Sequence, residues 1–567
     1  MTEPQQAAHT SSEKAVGQDE SPNYLSHRQI MSVLAGLMMG MFLSALDQTI
    51  VATSIRTIGD DLHGLSLQAW VTTAYLITAT ITTPLYGKLS DIYGRKPLFL
   101  ISIATFVGGS VMCTFSQSMY QLAGFRAVQG IGAGGLFSLA LAIIGDIVPP
   151  RERAKYQGAF LAVFGTASVL GPLVGGFFAG ANSILGIAGW RWVFLVNVPI
   201  GLAALLVVNA TLHVPHKRLD HRIDWWGALA LVVGLVPLLT IAEQGRAWGW
   251  GSSGALLCYS LGVLGIVAFV LVQRAMGDEA LLPLRFFSNR TFTVTNIVGV
   301  IMGAAMFGGL AGLPLYLQIV KSANPTRAGL LLIPLTLGIM LGSISSGQII
   351  SRTGKYKVFP LIGATTLIVS LSLLSTVKVD TSLVLTCSLS ALFGYGLGNL
   401  LQPTVLAVQN AVSPRDIGVA TSSATFFRQM GGTLGTAVFL SVLFNQWAGR
   451  SGKEFQTAAA DPNSAFSLAT RNPQVLDQPQ NKAYLDSLAQ MQQSGGKMGA
   501  GAFNDTSFLS GVDSGLTRPL FNAFTYGMQH IFLIAAGGTV IALALLFFLP
   551  NIPLRGRGAG DAPAAGH

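Results

Sequence analysis

Fourteen apolar stretches, each long enough to cross a bilayer, follow one another along the 567-residue chain. No other feature limits the possible folds so strongly. A crossing helix needs roughly 20 mostly apolar residues. By that measure the stretches run at about 31–54, 67–87, 98–116, 120–146, 157–180, 190–211, 224–244, 254–274, 291–318, 326–350, 358–377, 382–410, 418–446 and 527–549. A chain in lipid must satisfy its own backbone polar groups, so runs of this length predict helices. Charged residues make up only 10% of the chain, against ~25% in soluble domains. The 66 glycines suit close helix–helix contact in lipid. The expected fold class is an all-α polytopic membrane protein with about 14 transmembrane helices, and the even count puts both termini on one side.

The net charge of +10 does not point to nucleic acid, because the basic residues sit in short clusters between apolar runs. With the N-terminus inside, the inner short loops hold sixteen Lys and Arg and the outer ones six. Lys and Arg collect on the cytoplasmic side, so both tails, 1–30 and 550–567, are expected in the cytoplasm and the protein in the cytoplasmic (inner) membrane. The polar N-terminus lacks the apolar core of a cleavable signal. Cys113, Cys258 and Cys387 all lie inside apolar runs and offer neither a disulfide framework nor a metal-ligand spacing. The eight histidines form no H-x-x-x-H set, so neither a metal, a cofactor nor an enzyme activity is expected.

Two internal echoes set the domain plan. "GKLSDIYGRK" (87–96) after the second span matches "GQIISRTGKY" (347–356) after the tenth, and "PRERA" (150–154) matches "PRDIG" (414–418). Their offsets, 260 and 264, each relate span n to span n+8. Residues 31–211 and 291–549 therefore read as two six-helix bundles, with 224–274 inserted between them as two extra helices. Two related halves around a central site is a transporter plan. Residues 447–526 form a polar outer loop, read as disordered or partly ordered, with one short helix where Tyr484, Leu488 and Met491 share a face.

These stretches carry a resemblance. "GKLSDIYGRKP" (Gly87, Asp91, Gly94, Arg95, Lys96) looks like the loop motif between helices 2 and 3 of the major facilitator superfamily. "LAGFRAVQGIGAGG" (Arg126, Gln129, Gly130) is similar to its helix 4 motif, and "GTASVLGPLVGG" (Gly171, Pro172, Gly175, Gly176) to the helix 5 motif of antiporters. "LDQTIV", "GWRWVFLVNVPIG" and "DWWGALAL" resemble marks of the fourteen-helix drug:proton antiporter branch. The resemblance covers nearly the whole chain outside the N-terminal tail and the long outer loop. It implies the major facilitator fold, and a gating role for Gly87, Asp91, Gly94, Arg95 and Lys96 that holds the halves together. "GIGAGG" also matches a dinucleotide fingerprint, but it sits inside a span and follows no strand, so it reads as helix packing.

Four charged residues stand out. Asp47 lies in "FLSALDQTIVATSI", roughly 10 Å deep. A lone carboxylate at that depth is expensive unless it faces a wet cavity or a partner, and it is expected here as a cavity-facing group for proton coupling. Arg126 has a similar depth, and the resemblance lets the two approach. Arg428 sits near the midplane in "TSSATFFRQMGG", facing a substrate anion or the amides of Asn399, Gln402 and Gln409. Glu243 ends the seventh span near the outer surface. The whole reads as a secondary active transporter that exports drugs or other amphipathic compounds by proton antiport with alternating access. Its partners would be small amphipathic or cationic compounds, protons and the lipid bilayer, with no nucleic acid, and the protein would be a monomer. Export of an endogenous lipid, siderophore or antibiotic is the other transporter reading. Proton and sodium coupling are not distinguished by the residues.

Overall fold

A computed structural model describes residues 27–62, 68–212, 223–323, 325–493, 511–552 and 554. Each apolar stretch forms a helix: α1 (His27–Asp61), α2 (Gln68–Tyr93), α3 (Arg95–Thr114), α4 (Met119–Ile147), α5 (Pro150–Gly180), α6 (Asn197–Thr211), α7 (Trp225–Trp248), α8 (Ser253–Met276), α9 (Arg290–Ile319), α10 (Ile333–Thr353), α11 (Val358–Leu374), α12 (Leu383–Ala411), α13 (Ile417–Ala460) and α14 (Ser514–Phe547). Among the described residues, eleven helices have the length and apolarity to cross a membrane. The other three are α2 and α13, which carry many Thr, Ser and Gly, and the 17-residue α11. Polar side chains start several helices: Ser118, Asp224, Ser252, Asn289 and Ser382 each accept a backbone N–H of the first turn. The sixth span breaks at Val196 and the tenth at Leu332, each leaving a short helix before the main one.

The long polar connection before the last span departs from the expected limits. Helix α13 runs on to Ala460 and α14 begins at Ser514, so the connection spans 461–513 rather than 447–526. The polar continuation of α13, "WAGRSGKEFQTAAA", is rich in helix formers and carries an i,i+4 pair, Arg450 with Glu454 at 2.9 Å. Three short helices follow: Ala465–Arg471, Pro473–Leu476 and Pro479–Gln493. Tyr484, Leu516 and Ala469 are buried together, with Leu488 packed against them. The side chain of Met491 lies outside the described residues.

Glycines set the helix spacing in both halves. On α4, a Cβ at Gly130 would meet Tyr75 O of α2 at 2.4 Å, one at Gly132 would meet Phe106 N of α3 at 2.5 Å, and one at Gly134 would meet Ala79 O of α2 at 2.5 Å. On α12, 264 residues further along, Gly394 and Gly398 face α10 (Leu335 O at 2.0 Å, Ile339 O at 2.3 Å) and Gly396 faces α11 (Gly363 O at 3.0 Å). The "GIGAGG" run thus packs helices. Gly171 and Gly175 on α5 abut Thr49 and Thr53 of α1, just as Gly431 and Gly435 on α13 abut Val300 and Ala304 of α9. Across the two sets, α2 packs on α13, and α5 packs on α10 and α12.

Candidate functional site

Two polar constellations stand inside this apolar frame. The first surrounds Asp47, which is fully buried on α1. Its Oδ2 lies 2.5 Å from Arg126 Nη1 of α4. Its Oδ1 accepts from Gln129 Nε2 at 2.9 Å and from Asn197 Nδ2 of α6 at 2.8 Å. Arg126 also donates to Gln129 Oε1 at 2.6 Å and to Val71 O at 3.4 Å, and its guanidinium sits 4.1 Å over the Tyr75 ring. Gln129 and Asn197 both donate to Ser110 Oγ of α3, and the Tyr75 hydroxyl bonds Ser44 at 2.8 Å. Arg126 and Gln129, three apart on a helix, present one face to the carboxylate.

In this structure the carboxylate is enclosed by polar partners. Both Asp47 oxygens are engaged by side chains, and α1, α2, α3, α4 and α6 enclose the group. A desolvated carboxylate is tolerated because a guanidinium and two amides replace its water. Asn197, Ser110, Tyr75 and Ser44 were not picked out from the sequence. Asn197, an amide well inside the sixth span's apolar run, was the available signal.

The second constellation lies where α2, α3, α4 and α13 end. Gly94, at φ 98°, holds a backbone conformation that favours glycine and turns α2 into α3. Asp91 is buried, lies 2.5 Å from Arg95 Nη1, and accepts from Val419 N at the start of α13 at 3.0 Å. Backbone N–H groups at a helix N-terminus favour an anion there. Arg95 also bonds Ser90 and reaches Asp146 of α4 at 2.6 Å. A Cβ on Gly87 would lie 1.9 Å from Ser422 Oγ of α13, and one on Gly418 would lie 2.2 Å from Asp91 Oδ1. Asp91 lies four residues beyond the apolar limit of the second span. Burial pushes its carboxyl up to about 6, Arg95 opposes that rise, and Asp146 adds to it. Thr83 continues the contact by bonding Gln429 at 3.1 Å, and Gln409 donates to Leu141 O at 3.1 Å. Lys96 stands apart: its ammonium donates to Asn209 O at the end of α6. Asp146 was missed because an acid at a span end looks like an ordinary solvated one.

The other candidates fall outside both constellations. Arg428 has no hydrogen-bond or ion-pair partner among the described residues. The amides expected around it are turned elsewhere: Asn399 donates to Tyr395 O, Gln409 to Leu141 O and Thr421, and Gln402 Oε1 is unpartnered. The side chain of Glu243, near the end of α7, lies outside the described residues. Pro172 of α5 would contact a Cβ added at Gly329 at 3.2 Å, while Gly176 is exposed.

A bundle of this size, with glycine-spaced helices repeated in two sets around a buried charge pair, has the plan of a helical membrane transporter. The chain belongs to the Major Facilitator Superfamily, whose model matches residues 37–436. It is similar to the multidrug transporter protein MdtP of Bacillus subtilis, 35% identical over 72% of this chain and 75% of that one. Multidrug resistance protein 3 of the same species is 35% identical over 78% of this chain and 87% of its own. The efflux pump aflT of Aspergillus parasiticus is 29% identical, covering 82% and 91%. Two solved structures share the fold at 14% identity and a TM-score of 0.57. They are the human organic anion transporter MFSD10 (91% of this chain, 99% of that one) and the proton:xylose symporter XylE (93% and 98%). The protein is therefore a membrane transporter of this family and not an enzyme.

Proposed function

We propose that this transporter exports amphipathic, often cationic, compounds across the cytoplasmic membrane in exchange for protons, by alternating access between residues 31–211 and 291–549. Both termini lie in the cytoplasm, which makes the contact around Asp91 the cytoplasmic closure. The buried Asp47–Arg126 pair at 2.5 Å carries this reading. A buried pair is stable only while both members are charged. Removing one charge leaves the other uncompensated, at a cost of about 3–5 kcal/mol. Protonating Asp47 removes the carboxylate charge, so Arg126 must find another acceptor and the five helices around it must shift. A proton taken up on one side and released on the other thereby biases the bundle between two arrangements. A cationic substrate acts on the same pair by competing with Arg126 for the carboxylate. The cytoplasmic closure, Asp91 against the start of α13, separates and re-forms once per cycle. Gly87 and Gly418 allow the close approach this requires.

The test is uptake of a panel of cationic, neutral and anionic dyes into everted membrane vesicles, whose cytoplasmic face is outward, under an imposed pH gradient, with an imposed sodium gradient as comparison. Dye movement that follows the pH gradient and is abolished when protons equilibrate is the expected result. Movement driven only by sodium rejects proton coupling.

A further inference from the structure

The two extra helices have no part in either constellation, yet the connection that follows them reaches one. Residues 277–289 leave α8 at Gly277 and make two short 3-10 turns, Gly277–Glu279 and Leu284–Ser288, before α9. This segment is tied to its own hairpin. Asp224, which caps α7 by accepting from Gly227 N at 2.7 Å, also accepts from Gln273 Nε2 at 2.7 Å and from Leu281 N at 3.1 Å. Gln273 Oε1 accepts from Leu282 N at 2.7 Å. With its position fixed in this way, the segment inserts Leu281, Leu282 and Phe286 into a buried cluster. That cluster also holds Ile77 and Ile81 of α2 and Val419 and Phe426 of α13.

Its polar groups touch both halves as well. Lys88, just past the second span, donates to Asp278 O at 3.2 Å. Arg285 lies 3.1 Å from Asp278 and 3.2 Å from Asp416, beside the start of α13. Ser413 donates to Asp416 at 2.7 Å. Between them is a cavity of about 280 Å³ that shares Asp91 and Val419 with the closure itself. The segment therefore makes one set of contacts to α2 and another to α13, and both sets exist together only while those helices are in contact.

We infer that residues 277–289 form a clasp, carried by the inserted helix pair, that holds the α2–α13 closure shut. The inference rests on the two-half movement proposed above. The apolar part supplies most of the hold. The Arg285 bridges are half-exposed, and exposed bridges contribute little individually.

The test is the distance between spin labels at Tyr93→Cys and Thr353→Cys, on the closure side of the two halves, in full-length protein with Cys113, Cys258 and Cys387 replaced by alanine. The wild type should give mainly the short distance. Arg285→Glu should raise the ratio of long to short distances about threefold, and Phe286→Ala about tenfold. Adding Asp416→Lys to Arg285→Glu should move the ratio back toward the wild type. Arg285→Glu keeps the apolar contacts, so it remains informative if Phe286→Ala fails to fold. Gly87→Val, which wedges α2 from α13 without touching the segment, is the control. If it opens the pair while both clasp variants keep the wild-type distribution, the clasp is wrong and the two-half movement stands. If Gly87→Val also stays closed, the movement fails and the clasp fails with it. Opening by Arg285→Glu that Asp416→Lys leaves unchanged contradicts the bridge.

Discussion

Arg126 of α4 and Asp47 of α1 meet at 2.5 Å, 79 residues apart in sequence, with neither side chain more than 2% exposed. Around them Gln129, Asn197, Ser110 and Tyr75 supply the hydrogen bonds and the aromatic face that water would otherwise provide. The pair is thus a single electrostatic unit, and its members should respond to mutation as one.

Removing the cation alone should be worse than removing both charges. Arg126→Gln leaves a buried carboxylate without its counter-ion and should destabilise the protein by about 3–5 kcal/mol. That loss should appear as a lower melting temperature in detergent and a lower yield. Asp47→Asn combined with Arg126→Gln should recover most of that stability while remaining inactive in pH-driven efflux. Additive melting losses in the double variant would show that the two residues act independently.

Helix spacing gives a contrast between two glycines of α4. Gly132→Ala sets a methyl group 2.5 Å from Phe106 N and 2.6 Å from Ser102 O of α3, both backbone atoms that cannot swing aside. It should cost about 1–3 kcal/mol. Gly124→Ala faces open space within 4 Å and should leave the melting temperature unchanged or slightly raised. Equal melting temperatures for the two variants would contradict this packing of α4 on α3.

The closure should depend on pH through Asp91. With α2 and α13 in contact, burial raises its carboxyl from 3.8 to about 6, against the pull of Arg95 and the Val419 N–H. Once the contact opens to water, the group returns toward its ordinary value. Between about pH 4 and 6 the closed form binds more protons, so closure strengthens as pH falls through that window and weakens as it rises. Arg95, Asp146 and Lys88 are the charged neighbours. The spin-label distance pair, followed from pH 7.5 to 4.5, should gain short-distance population, and Asp91→Asn should flatten the curve. A shift toward the long distance on acidification would reverse the sign.

Sidedness follows from the placement of the basic loops. Cysteine at Gln474, exposed between α13 and α14, should react with a membrane-impermeant thiol reagent in intact cells, and cysteine at Thr353 should react only after lysis. The opposite labelling pattern would invert the topology.

Much of this was legible because lipid makes polarity conspicuous. Asp47 and Arg126 stand out as charges within long apolar runs, and the helices themselves are set by the length of those runs. Asn197 and Ser110 escaped notice because small polar residues recur throughout membrane helices, and which of them converge depends on how the helices pack. Asp146 and Asp416 sit at helix ends, where an acid is usually just solvated. Only the folded chain brings Arg95 and Arg285 to them. The extension of α13 to Ala460 was hidden for a different reason: hydropathy marks where a helix leaves the bilayer, not where it ends. The echo between the halves was visible at the loops, yet its fullest form, Gly130, Gly132 and Gly134 matched by Gly394, Gly396 and Gly398, was recognised only through the contacts those residues make.

The central claim is that Asp47 links proton movement to transport, and purified Asp47→Asn in proteoliposomes tests it most directly. The amide keeps the size of the side chain and accepts from Asn197, but it cannot titrate. Substrate uptake driven by a pH gradient should fall at least tenfold, while exchange of a neutral substrate at equal pH on both sides, which needs neither net proton movement nor the carboxylate as a contact, should persist. Asp47→Glu should keep part of the driven uptake with an altered pH profile. Wild-type pH-driven uptake of both neutral and cationic compounds by Asp47→Asn would contradict the account, leaving the Asp47–Arg126 pair a structural tie between α1 and α4.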